Sequence, residues 1–247
     1  VIEGDLADPT SLDRATQGVE VVVSCVQGGP EVILDGQLAL MDAARRNGVR
    51  RILPSDFALD FFEGPTALHL PFDLRKRADA RIAQSGLEVI HVLNGGFMDV
   101  VAAPFAGILD RDAGAVRFWG TGEERFDLTS IEDTERFTAL AALDRNLASG
   151  QFAVSGSQLS FNDMADAVEA ATGQPLRRES LGPVEELRRQ IEATTALNPN
   201  PYARIGERYQ LFMLTVPPLR DVQNTRYDGL RPEPFHVFAQ RQWGQEA

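Results

Sequence analysis

The sequence predicts an α/β chain built on a doubly wound parallel sheet, with a smaller C-terminal lobe. Three observations carry that prediction. Apolar, β-branched runs alternate with amphipathic stretches in the order βαβα over roughly the first hundred residues. Gly18, Gly48 and Gly86 each stand where an amphipathic stretch gives way to the next apolar run. Three of those runs end in small or polar clusters, Val26-Gln27-Gly28-Gly29, Pro54-Ser55-Asp56-Phe57 and Asn94-Gly95-Gly96-Phe97.

Taken in order, residues 1–4 read as a short strand leading to Asp5, and Asp8-Pro9-Thr10-Ser11-Leu12 as a helix entry with an acid and a proline in its first turn. Residues 19–25, with Val21, Val22 and Val23 in succession, predict a parallel strand covered on both faces. A buried helix fits less well, because the run is short. Residues 31–47 place Ile33, Leu40, Met41 and Ala44 at helical spacing before Gly48. Arg51-Ile52-Leu53 is the next strand, residues 73–85 the next helix and residues 88–93 the strand after it. An open parallel sheet takes its ligand outside the carboxyl ends of such strands, so the three end clusters outline a candidate cleft. Further on, residues 115–119 and 151–154 read as short strands, and 132–146 and 162–172 as helices. Proline then thickens at Pro199, Pro201, Pro217, Pro218, Pro232 and Pro234, which predicts irregular, surface-wrapping segments of a lid or substrate lobe, or simple connectors.

Charge narrows the partners. The 24 Lys plus Arg against 36 Asp plus Glu leave a net charge of -12, which repels nucleic-acid backbones and anionic lipid, so no direct nucleic-acid contact and no membrane role is expected. The single cysteine, Cys25, forms no internal disulfide, and a reducing, cytoplasmic setting is the default. His91 and His236 lack carboxylate or cysteine neighbours at metal-ligand spacing in the sequence, and no metal site is expected.

Several strings stand in an order that resembles the NmrA-like and isoflavone-reductase-like branch of the atypical short-chain dehydrogenases. They are Gly4-Asp5-Leu6, Gln37 followed by Ala43-Ala44-Arg45-Arg46-Asn47-Gly48-Val49-Arg50-Arg51, Pro54-Ser55-Asp56-Phe57, Ser85-Gly86 before Asn94-Gly95-Gly96-Phe97, and Asp127-Leu128-Thr129-Ser130-Ile131-Glu132-Asp133. The resemblance spans nearly the whole chain. It implies a Rossmann-like domain that holds NADPH along its strand ends and passes hydride to a small, often aromatic or unsaturated substrate. It also implies that Asp5 approaches the adenine, that Cys25, Val26 and Gln27 lie on the ribose and diphosphate side, and that Ser55, Phe57, Asn94 and Phe97 lie at the nicotinamide end. Each has a plainer reading too. Asp5 suits a turn or helix cap, Cys25 and Phe97 a core position, and Asn94 a bond to a strand-end carbonyl.

Two departures bear on this. The family's acid or base lysine corresponds in register to Arg75, with Lys76 one place along. On a helical wheel Leu74, Ala78 and Ile82 form a stripe about 80° wide, with Arg75 about 20° beyond its edge and Lys76 about 120° beyond it. Arg75 therefore leans inward, and its guanidinium binds anions or carbonyls without shuttling protons. The run Arg75-Lys76-Arg77 also suits a solvated cationic face. His69, in a loop just upstream, is an alternative proton donor. The second departure is the lack of Gly-x-Gly-x-x-Gly between a strand and a helix; Gly120-Thr121-Gly122 reads as a turn. Residues 1–103 are thus expected to be a partial dinucleotide-binding domain short of its first two strands, preceded in the biological chain by a glycine-loop segment, and residues 104–247 a smaller substrate lobe interleaved with the sheet. NADP binding depends on the strand ends that remain. Three functions stay open: an NADPH-dependent reductase, a non-enzymic nucleotide sensor with a protein partner, and an inactive scaffold.

Overall fold

In a computed structural model of the protein, residues 1–103 and 106–244 are described. In chain order the elements are α1 (Pro9–Thr16), β1 (Val21–Val23), a π-helical turn (Glu31–Gly36) running directly into α2 (Gln37–Arg46), β2 (Arg51–Leu53), α3 (Leu70–Ile82), β3 (Glu88–Leu93), β4 (Gly96–Phe97) and α4 (Met98–Val101). There follow β5 (Leu109–Asp110), β6 (Ala115–Phe118), β7 (Phe126–Thr129), α5 (Ile131–Leu143), β8 (Gly150–Ala153), β9 (Ser157–Leu159), α6 (Phe161–Thr172), β10 (Arg177–Ser180), α7 (Val184–Leu197), α8 (Ile205–Thr215) and α9 (Phe235–Trp243). They gather into two compact units that alternate along the sequence. The first comprises Val1–Phe57, Leu70–Leu93 and Arg136–Phe152; the second comprises Ala58–His69, Asn94–Glu135 and Ala153–Ala247.

The first unit is the doubly wound part. Its sheet runs β1-β2-β3-β8, with β1 parallel to β2 (Val21 opposite Arg51, Val23 opposite Leu53) and β2 parallel to β3 (Ile52 opposite Val89). Helices earn their places by stripe and cap: Asp8 accepts bonds from the amides of Thr10 and Ser11 to start α1, and Met41 of α2 with Ala78 and Ile82 of α3 packs on Ile52 and Val89. Gly48 closes the helix before β2 at φ +72, a conformation that a side chain resists.

Two sequence expectations need correction here. Residues 1–4 form no strand, because no described strand pairs with them; Val1 and Ile2 are exposed. β1 is not covered on both faces. It is the edge strand of its sheet, and Val23 stands 39% exposed, so the run of three valines marks β propensity and not burial.

The second unit contains two three-stranded sheets, β10-β6-β5 and β4-β7-β9. Gly95 bends the chain between β3 and β4 at φ +70, where a Cβ would lie 2.2 Å from the carbonyl oxygen of Asp127. The tail is irregular around Pro199, Pro201, Pro217, Pro218, Pro232 and Pro234, as expected, and helical between and beyond them. α7 and α9 begin immediately after Pro183 and Pro234, and Leu187, Ile191 and Leu211 close on Trp119 in a core of their own. The turn at Gly120-Thr121-Gly122 is held by the Glu124 carboxylate, which accepts bonds from the amides of Thr121 and Gly122. Among the described residues no helix is long and apolar enough to cross a membrane.

Candidate functional site

In the first unit the ends of β1 and β2 are tied together. Ser55 Oγ donates to the Val26 carbonyl at 2.8 Å, and the Ser55 amide donates to Gln37 Oε1 at 3.1 Å. From α3, Arg75 reaches both loops: its Nε donates to the Ser55 carbonyl at 2.7 Å and its Nη2 to Gln27 Oε1 at 2.8 Å. Its guanidinium also lies 6.0 Å from the Phe72 ring. Four residues singled out in the sequence, Val26, Gln27, Ser55 and Arg75, are thus one hydrogen-bonded group at the carboxyl ends of parallel strands. The thiol-bearing Cys25 is exposed and not in the core. Arg75 is buried, Lys76 half-buried and Arg77 exposed, in the order that the helical wheel gives.

Asp5 sits in an exposed turn. Its carboxylate accepts from the Ala7 amide at 2.8 Å, while its own amide donates to Ser11 Oγ at 2.9 Å. This is the entry to α1. Phe57 is half-buried at the end of the same loop as Ser55.

The remaining candidates belong to the second unit. His69 is buried with its ring edge-on to Tyr209 and Phe212, at centroid distances of 5.8 and 6.4 Å. Asn94 keeps its backbone in order: its amide donates to the Ala58 carbonyl, and its carbonyl accepts from Thr129 Oγ1 at 2.7 Å. The Asn94 side chain is another matter, being fully buried while neither Oδ1 nor Nδ2 meets a hydrogen-bond partner among the described residues. Leaving such a group unpaired costs about 1–3 kcal/mol. Phe97 is half-buried in β4, opposite Thr129. The string from Asp127 to Asp133 proves structural. Asp127 accepts from Ser155 Oγ at 2.6 Å and from the Leu219 amide at 2.7 Å, and Ser130 caps α5 with Asp133. Burial pushes the Asp127 carboxyl above its usual range, against those two donors.

Sequence reasoning missed three features. An apolar cavity of about 240 Å³ in the second unit is lined by Val100, Val101, Ile108, Tyr209 and Met213. Its residues lie in a segment where the strand and helix pattern loosens, so no periodicity announced it. In the first unit Asp56, Asp79 and His91 converge, with His91 Nδ1 2.8 Å from Asp56 Oδ2. Burial, then the adjacent Asp56 charge, drives the Asp79 carboxyl well above the ordinary carboxylate range, with Arg75 pulling the other way. Finally, Arg51 buries a guanidinium completely, donating to the carbonyls of Ala141, Ala142, Asp144 and Leu147 and closing the C-terminal end of α5.

Polar groups remain uncommitted at the strand ends. Ser24 Oγ and Gln37 Nε2 are buried, at 2% and 1% exposure, and have no hydrogen-bond partner among the described residues, so polar capacity is left at the β1 and β2 ends. The helix that follows Gly28 and Gly29 is a poorer seat for a diphosphate. The Glu31 carboxylate folds back to within 2.5 Å of where a Gly29 Cβ would lie, setting a negative charge at the helix start.

The chain is similar to several known proteins. The chain is 27% identical over 192 residues to an NmrA-like family domain-containing oxidoreductase of Gibberella moniliformis, a match covering 76% of this chain and 63% of that protein. It is 27% identical over 203 residues to the isoflavone reductase homolog IRL of Zea mays, covering 78% of this chain and 63% of the relative. The chain thus spans less than two thirds of the curated relatives it matches. A solved binary complex of leucoanthocyanidin reductase with NADPH, from Vitis vinifera, superposes with a TM-score of 0.78 at 19% identity, over 96% of this chain and 80% of that one. The fold is therefore Rossmann-like. Its family pattern matches residues 1–216, and the chain belongs to the NmrA-like family.

Proposed function

We propose that the chain is the working part of an NADPH-dependent reductase acting on a small, apolar, aromatic or unsaturated molecule. The observation that carries this reading is the junction of Val26, Gln27, Ser55 and Arg75 at the carboxyl ends of β1 and β2, where an open parallel sheet holds its ligand. NADP(H), when bound, supplies hydride. Ser24, Gln27, Gln37 and Ser55 of the first unit are the groups that would hold its polar atoms. The 240 Å³ cavity of the second unit, walled by Val100, Ile108 and Met213 with Tyr209 beside them, suits one aromatic ring better than a charged substrate. The named activities of the relatives support the same class.

Arg75 takes the register of the family's lysine, and two of its nitrogens are committed to Ser55 and Gln27. An arginine stays protonated at working pH, so in this reading it orients a substrate oxygen and does not donate a proton. Lys76 and His69 are the remaining proton donors proposed. The arginine also favours a second reading, a nucleotide sensor that binds a protein partner without turnover. Absorbance at the nicotinamide band, followed over a panel of enones and aryl ethers, separates the two. Oxidation of NADPH with any of them supports the reductase, and tight NADPH binding with no oxidation across the panel supports the sensor.

A further inference from the structure

The cluster of Asp56, Asp79 and His91 lies within the first unit and plays no part in the proposed reduction. Asp56 comes from the loop after β2, Asp79 from the buried side of α3 and His91 from β3. One ligating atom from each lies within 4.8 Å of the others. Asp56 is fully buried and Asp79 is 3% exposed, whereas the His91 side chain keeps 13% exposure and leaves a way in from solvent. Asp56 Oδ1 and both carboxylate oxygens of Asp79 accept no hydrogen bond from a nitrogen or hydroxyl of any described residue; the two carboxyl groups face each other closely enough to share a proton. Two neighbouring buried carboxyl groups are relieved either by a proton or by a positive group, since an uncompensated buried ion costs several kcal/mol.

Three candidates exist for that group. Arg75 is near enough to act on Asp79 through space, but it forms no hydrogen bond to it. A single proton shared between the two acids bridges one oxygen of each and leaves the second Asp79 oxygen bare. A divalent ion matches the charge of both carboxylates and takes a nitrogen and oxygens together. With bonds of about 2.0–2.2 Å a tetrahedral ion holds its ligands about 3.3–3.6 Å apart, so side-chain rotations that close the widest pair by about 1 Å complete the site. Two carboxylates and one imidazole form a ligand set that first-row transition ions accept.

We propose that Asp56, Asp79 and His91 bind one divalent first-row transition ion of the zinc class. The ion joins the β2 loop to α3 and β3. It thereby fixes the segment whose Ser55 carbonyl holds Arg75, and its role is to hold the cleft wall in shape. The spacing of these residues in the sequence hides the site, because the three ligands come from three different elements.

The test uses the full chain, stripped with a chelator, dialysed and titrated with zinc chloride, with bound metal counted by mass spectrometry and melting followed in parallel. The expected result is one zinc per chain, a raised melting temperature, and binding weakened at least tenfold by His91→Gln and by Asp79→Asn but unchanged by His236→Gln, which alters an exposed histidine. Cobalt added to the wild-type chain gives a visible absorption band that zinc displaces, a readout that needs no variant to fold. No stoichiometric uptake by the folded wild-type chain overturns the proposal, as does uptake that His91→Gln leaves unchanged. NADPH binding is measured separately, so failure here leaves the reductase reading standing.

Discussion

Replacing Arg51 with methionine keeps most of the buried stem and removes the guanidinium. In the native protein Nη1 donates to the carbonyls of Ala141 at 2.7 Å, Ala142 at 3.3 Å and Asp144 at 2.7 Å, Nη2 to Leu147 at 2.9 Å, and Nε to Glu88 at 2.9 Å. Glu88 is 41% exposed and also paired with Arg50, so it keeps solvent and a partner after the change. Ala141, Ala142 and Leu147 are buried, and their carbonyls do not. At about 1 kcal/mol or more for each buried acceptor left bare, plus the lost attraction of a cation to the C-terminus of α5, the expected destabilisation is about 3–5 kcal/mol. Trp119 and Trp243 both fall in the second unit, so fluorescence watches the wrong part of the chain. Amide hydrogen exchange in β2 and β3 is the better assay. A loss of about 3 kcal/mol speeds their exchange roughly 150-fold, at about 1.4 kcal/mol per tenfold. Arg145→Ala, which removes an exposed pair with Glu20, serves as the control and should cost under about 0.5 kcal/mol. A loss below about 1 kcal/mol for Arg51→Met would refute the claim that this side chain closes α5.

Other outcomes follow from single residues. Gly95→Ala sets a methyl 2.2 Å from the Asp127 carbonyl at a positive φ, and should lower stability by several kcal/mol in urea unfolding monitored by fluorescence. Arg75→Lys keeps the charge but forfeits the paired reach to Ser55 and Gln27, so the proposed reductase should lose affinity for NADPH about tenfold in a fluorescence titration. Hydrogen bonding from Arg178 holds Glu169 below its ordinary 4.5, so the stability it gives is present above that pH and fades as pH falls through the lowered value; Glu169→Gln should flatten the acid limb of the melting curve below pH 4.5.

Much of the first unit was legible because its signals are local. The glycines at 18, 48 and 86 all adopt positive φ, and the strands at Arg51 and Glu88 pair in parallel as the βαβ order requires. The valine run misled because β-branched residues favour a strand whether or not it is covered, and β1 lies at an edge. The tail was legible at its prolines, since residues 198–204 and 216–234 are irregular as read, whereas α7 and α9, in which Leu187 and Ile191 or Phe235 and Phe238 supply a buried face, were not singled out. At the site, side chains tied to local backbone could be anticipated. Convergence could not: Asp56, Asp79 and His91 become neighbours only when a loop, a helix and a strand are packed together.

The most direct test of the central claim is a calorimetric titration of the folded chain with NADPH. One-to-one binding at micromolar concentration, displaced by NADP+ and weakened by Ser55→Ala or Gln27→Ala, is the result that the strand-end junction predicts. Absence of any saturable heat from a chain that melts cooperatively would contradict it.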